Sequence, residues 1–314
     1  MNVDIMAHCL RLVCREECMA DIKLFRIVAD SVTKLTAESA AIEKTLQLLM
    51  EKHLGSFLEV RLIASEYVTG KKHGGRIDTL GLDENNSPVI IEYKRDLNEN
   101  VINQGLFYLD WLMDHKGEFK LAVMERLGPA FTGEIDWSGP RLLCIAGDFT
   151  KYDEYAVMQI PRNIELLRYR RYGTDLLLLE LVNAGTVEAR NIPHKGKDKK
   201  KEQNEGSGHE SALNDVFESL CTFLLALGDD VSMNRLEHYI AFRRLKNFAC
   251  VKPRQHDLQI WTKLDPLSVT LEQGFTRDVT NVGHLGTGNL ELRIQSLSDL
   301  EKAKPLLLRS YQEN

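Results

Sequence analysis

The chain has 314 residues, 43% hydrophobic and 27% charged, with a formal net charge of −6. That length accommodates two domains, and that composition is ordinary for a soluble globular protein. No apolar run approaches the roughly 18 residues of a membrane span. The net acidity counts against a protein that wraps nucleic acid over its surface, but leaves room for local basic clusters at Lys71-Lys72, Arg162, Arg168, Arg170-Arg171 and Arg243-Arg244.

In the opening segment Arg11, Arg15, Glu16 and Glu17 interrupt any apolar stretch, so no signal peptide is expected. Met19 would serve as a natural start, and residues 1–22 read as an N-terminal extension. Cys9, Cys14 and Cys18 lie in this segment, while Cys144, Cys221 and Cys250 are scattered. No CxxC pair occurs, so zinc is not expected, and reduced thiols in a cytoplasmic protein fit best.

From Ile42 to Leu54, helical spacing puts Leu46, Leu49, Met50 and Leu54 on one side. Ala64-Ser65-Glu66-Tyr67 opens the segment before two short strands, Arg76 to Leu82 and Pro88 to Arg95. The five polar residues Asp83-Glu84-Asn85-Asn86-Ser87 between them read as a hairpin connection. Facing Leu82 with Pro88 sets Asp78 opposite Glu92, and strand alternation points Glu92 and Lys94 the same way. Val89, Ile90 and Ile91 mark the second strand as central. Like charges opposed across a sheet repel, and a shared divalent cation removes that penalty. A lysine beside such a pair can orient or help deprotonate a water. The plainer alternative is two solvated acids with Lys94 as a salt-bridge partner.

Asp78, a short hairpin and then Glu92-Tyr93-Lys94 resembles the Asp-Xn-Glu-X-Lys signature of the PD-(D/E)XK nuclease superfamily. The longer run GRIDTLGLDENNSPVIIEYK resembles the branch related to restriction endonucleases and archaeal repair nucleases. The resemblance implies an α/β fold with a restriction-endonuclease-like αβββαβ core, Mg²⁺ or Mn²⁺ as cofactor, and DNA as substrate. Asp78 and Glu92 fall on its metal-holding positions and Lys94 on its catalytic lysine. The family often takes a further acidic ligand from the preceding helix. Glu51 is the best-placed candidate there, and Glu66 competes for the role. Downstream, Asn103 to Trp111 reads as a helix with Gln104 and Tyr108 on one face. This matches a Gln-x3-Tyr element that lines the site and positions nucleic acid in several branches; Tyr108 could equally be a core aromatic. Gly74 and Gly75 after His73 permit close backbone approach, and Arg76 could pair with a phosphate or with a site carboxylate.

Further strands are expected at Lys120 to Met124, Arg141 to Ala146, Ile164 to Tyr169 and Leu176 to Val182, with a short helix from Lys151 to Val157. The nuclease-like domain thus spans residues 23–190. Residues 191–211, rich in lysine, glycine and serine, read as a flexible linker. Residues 212–314 read as a smaller α+β domain with an amphipathic first helix, a strand at Leu258 to Trp261 and a last helix from Leu297 to Tyr311. This part resembles a domain of unknown function loosely associated with transport. Arg243, Arg244, Lys246, Trp261 and His284 would make a nucleic-acid surface there, with Trp261 a candidate for the core instead. No GxxxxGK[ST] motif is present.

The reading is a metal-dependent DNA endonuclease, with Asp78, Glu92 and Lys94 catalytic. Gln104, Tyr108 and Arg76 face the substrate. No membrane association is expected, and a homodimer is an open alternative for its assembly. The runner-up is a non-catalytic binding or assembly module on the same fold.

Overall fold

The computed structural model describes residues 22–37, 43–70, 74–94, 101–185 and 208–314. The expected N-terminal extension up to residue 21, His73 with Lys71 and Lys72, and linker residues 191–207 lie outside the described residues. Two strands, β1 (Phe25–Val28) and β2 (Ser31–Lys34), pair with each other and with no other described strand, and every side chain in them is exposed.

The first domain is mixed α/β. Helices α1 (Glu43–Lys52) and α2 (Leu54–Leu58) precede strands β3 (Arg61–Val68), β4 (Arg76–Leu82) and β5 (Pro88–Lys94). Helices α3 (Val101–Asp114) and α4 (Lys116–Leu127) lead to β6 (Arg141–Ala146). Helix α5 (Lys151–Gln159) leads to β7 (Asn163–Tyr172) and β8 (Leu176–Gly185). The strands form one sheet in the order β3-β4-β5-β6-β7-β8. The β3–β4, β4–β5 and β7–β8 pairs are antiparallel, and β5–β6 and β6–β7 are parallel. The parallel steps need crossovers, and α3–α4 and α5 supply them.

Strand β5 is central and, except for Lys94, fully buried. Its two faces carry separate cores. Val89, Ile91 and Tyr93 meet Leu46 and Met50 of α1 and Leu54 and Leu58 of α2. Ile90 lies on the other side with Leu142, Leu109 and Leu112. Each such buried side chain contributes about 1.5–3 kcal/mol. Gly105 lets α3 lie close on β6, since a Cβ there would stand 2.4 Å from Leu142 Cδ1.

One expected strand is a helix instead. Lys120 to Met124 lies inside α4, because Phe119 and Val123, four residues apart, both point into the core while Lys120, Leu121 and Met124 are exposed. That is helical rather than alternating spacing. The other expected elements of this domain, including the short helix α5 with its Thr150–Asp153 capping box, are present.

The second domain holds α6 (Gly208–Leu225), six strands and α7 (Leu297–Glu313). The helix α6 begins within the last four residues of the expected linker. The strands are β9 (Ser232–Arg235), β10 (Ile240–Arg243), β11 (Asn247–Pro253), β12 (Leu258–Thr262), β13 (Thr276–Asp278) and β14 (Leu290–Ile294). They form an all-antiparallel sheet in the order β13-β14-β12-β11-β10-β9. Val216, Leu220 and Leu224 of α6 and Leu300, Ala303 and Leu307 of α7 pack with Phe242, Phe248, Ile260 and Leu292. Helices gathered on an antiparallel sheet make an α+β domain.

A separate small cluster of Tyr239, Ala241, Cys250, Trp261 and Val279 lies where this sheet meets the β4–β5 turn. Tyr239 OH donates to Asn85 Oδ1 at 2.9 Å, and the Asn247 backbone N–H donates to Glu84 Oε1 at 2.7 Å. Lys263 pairs with both Glu59 and Glu84. Asp83, fully buried, takes Arg141 at 2.8 Å and has Arg243 at 3.6 Å. Arg243 and Trp261 are therefore interior residues and not parts of an open nucleic-acid surface. Arg244 pairs with Asp230 and lies over the Tyr311 ring, and Lys246 donates to the Ser56 carbonyl. Arg168 is likewise buried, held by Asp148 and Glu180.

Candidate active site

Strands β4 and β5 pair regularly from Leu82↔Pro88 to Thr79↔Ile91, in the register the hairpin pattern predicts. Beyond that point two carboxylates take over the hydrogen bonding. The Asp78 backbone N–H donates to Glu92 Oε1 at 3.2 Å, and the Tyr93 backbone N–H donates to Asp78 Oδ2 at 3.0 Å. Each acid thus accepts a backbone donor from the other's strand. Buried N–H groups need acceptors, and where the ladder ends these side chains supply them.

The cost falls on the acids. Glu92 is buried, and its burial, then the charge of Asp78, pushes its pKa up to about 9. Its Oε2 has no hydrogen-bond partner among the described residues. Burial also raises the pKa of Asp78. The Tyr93 N–H and Lys94 oppose that rise, while Glu43 and Glu66 add to it. Lys94, two residues beyond Glu92, places its Nζ 3.4 Å from Glu43 Oε1. Asp78, Glu92, Lys94 and Glu43 therefore share one charged neighbourhood at the end of β5.

Helix α1 braces this point. Gln47 is buried and donates through Nε2 to the Asp78 carbonyl at 2.8 Å and to Glu51 Oε1 at 3.0 Å. Glu51 also accepts from Thr79 Oγ1 at 2.6 Å. Glu51 is thus bound to Thr79 and Gln47, whereas the α1 acid whose charge bears on both Asp78 and Glu92 is Glu43. Glu43 lies about two turns nearer the helix start, on the same side. The spacing that singles out Glu51 contains Glu43 as well, and only packing separates them. Gln47 and Thr79 carry no motif and were not legible as site residues.

Glu66 is beside Asp78 on the neighbouring strand. The β3–β4 register runs from Ser65↔Thr79 to Tyr67↔Ile77 and skips Glu66 and Asp78. Glu66 has a left-handed backbone, φ 54°, and its carboxylate pairs with Lys44 and, at 2.6 Å, with Arg76. The Lys44 hydrogen bond holds its pKa below the usual carboxylate range.

Gln104 and Tyr108 lie together on α3. Gln104 Nε2 donates to Tyr108 OH at 3.3 Å, and the Arg76 backbone N–H donates to the same oxygen at 3.1 Å. Tyr108 is buried, so it anchors the start of β4. Gly75 makes room for it, since a Cβ there would lie 2.4 Å from Tyr108 Cε1. Among the described residues no group of three or more His, Cys, Asp or Glu side chains is arranged to hold a metal ion. No described helix is long and apolar enough to cross a membrane.

The profile of a domain of unknown function, DUF5655, matches residues 202–314, which span the second domain. A Haemophilus influenzae protein, described as uncharacterized, is 27% identical over 305 residues, covering 93% of this chain and all of that protein. The similarity therefore runs through both domains. No solved structure matches the chain.

Proposed function

We propose that this protein is a metal-dependent DNA endonuclease of the PD-(D/E)XK type. The observation that carries the reading is the convergence of Asp78 and Glu92 at the parting of β4 and β5, with Lys94 two residues on. The element order α1-β3-β4-β5-α3-β6, with β5 and β6 parallel, supports it.

The residues fit a hard divalent cation such as Mg²⁺ or Mn²⁺. The donors are carboxylate oxygens, one buried oxygen of Glu92 has no partner among the described residues, and a cation would relieve the repulsion between the acids. Asp78 and Glu92 would hold it. When bound, it would lower the pKa of a water and offset charge on the phosphoryl group. Lys94 would orient the attacking water and balance negative charge as it develops. Gln47 fixes the Asp78 backbone, and Tyr108 with Gln104 fixes the Arg76 backbone at the strand's entrance.

A second reading, a non-catalytic nucleic-acid-binding module, draws support from Glu51, which is tied to Thr79 and Gln47. Incubation of the protein with labelled duplex, single-stranded and branched DNA and RNA, with and without Mg²⁺ or Mn²⁺, separates the two. Cation-dependent cutting of DNA supports the nuclease. Binding without cutting under every condition favours the module.

A further inference from the structure

Three charged side chains stand beside the acidic pair and are not needed to hold it. Lys44 and Arg76 approach the Glu66 carboxylate from two sides, Lys44 at Oε1 and Arg76 at Oε2. The cations are the more open partners: their side chains are 48% and 64% exposed, against 28% for Glu66. An anion arriving from solvent meets them first. Both are also tethered to the frame of the site. Lys44 Nζ donates to Gln47 Oε1 at 3.2 Å, and Gln47 donates to the Asp78 carbonyl. Arg76 lies two residues from Asp78 on β4, and its N–H is held by Tyr108.

Resting on the nuclease reading, we propose that Lys44 and Arg76 form the phosphate-binding subsite of this protein, and that Glu66 occupies it in place of a phosphodiester when no substrate is bound. A carboxylate and a phosphodiester are both monoanions that offer two equivalent oxygens. Exchanging one for the other leaves the charge around Lys44 and Arg76 unchanged. Arginine and lysine are suited to that ligand, the first through its planar donor fork and the second as a point charge. Glu66 is held in a left-handed conformation that residues other than glycine seldom adopt. Glu66 is then a competitor of the substrate rather than a metal ligand.

The test uses full-length protein carrying Asp78→Asn, in EDTA, so that the probe is not cut. Binding of fluorescein-labelled single-stranded and duplex DNA is measured by anisotropy over a range of salt. Adding Glu66→Gln should tighten binding about fivefold, the scale of an exposed ion pair removed from competition. Adding Lys44→Ala or Arg76→Ala should weaken it and lower the slope of log K against log salt by about one for each cation. The gain from Glu66→Gln should vanish when both cations are replaced, which a general change of surface charge would not do. Unchanged or weaker binding by the Glu66→Gln variant, in a protein whose wild type cuts DNA, overturns this inference alone. A wild type that neither binds nor cuts any DNA overturns the nuclease reading and this subsite with it.

Discussion

Arg243 Nη1 lies 3.6 Å from Asp83 Oδ2, across the boundary between the two domains, and neither side chain is exposed to solvent. Asp83 also accepts from Arg141, whose guanidinium grips Glu165 at 2.8 and 2.9 Å. Burial alone would raise the Glu165 pKa, but Arg141 and then Arg243 outweigh it and hold it low. The same turn gives Glu84 and Asn85 to the second domain. The hairpin that carries Asp78 and Glu92 at one end is therefore clamped by the second domain at the other.

That clamp should outlast a broken linker. Proteolysis confined to residues 191–207 should yield two fragments that co-elute on size exclusion at moderate salt. Fragments that separate there would show that the buried contacts of Asp83, Asn85, Arg243 and Lys263 do not join the domains.

Replacing Arg141 by methionine should be strongly destabilising. It leaves the buried Asp83 and Glu165 without their main partner, and breaking a buried pair from one side costs about 3–5 kcal/mol. The urea midpoint should drop accordingly. A loss below about 1 kcal/mol would mean that the network relaxes around the change.

Asp78→Asn and Lys94→Ala should each lower metal-dependent cleavage by about a hundredfold or more, the scale of removing one well-placed electrostatic group. Neither deletes a large apolar side chain, so the melting temperature should change little. Calorimetry with Mn²⁺ should separate their roles, with binding lost in the Asp78 variant and kept in the Lys94 variant. Undiminished cleavage in both would remove this site from the reaction.

Glu92 makes the stability of the metal-free protein depend on pH. In the folded protein it keeps its proton up to about pH 9, while in the unfolded chain it loses it near about 4.3. Its contribution is complete below the unfolded pKa and falls as pH rises toward 9. Glu92→Gln should abolish that fall and be more stable than wild type at pH 8 in EDTA. Denaturation midpoints from pH 5 to 9 read this directly, and parallel profiles for the two proteins would contradict it.

Much of this organisation was legible in the residues themselves. The β4–β5 register follows from closing the five-residue polar turn with Leu82 facing Pro88, a signal that is local. The same locality put Glu92 and Lys94 on one strand face and Leu46, Met50 and Leu54 on one side of a helix, while the packing of that side against β5 came from the tertiary structure. Partner choice was decided elsewhere. Lys120 to Met124 reads as a short apolar run when taken alone, and the four-residue spacing of Phe119 and Val123, both turned into the core, makes it part of a helix. Glu43 and Glu51 share one side of α1, and the packing of that helix on the sheet decides that the charge of Glu43 bears on Asp78 while Glu51 is bound to Thr79. Arg243 reads as a surface cation until Asp83, far away in sequence, is brought beside it. Hydrophobic periodicity specifies which face is buried, but a charged side chain is placed by the partner it finds. That partner is known only once distant elements have packed.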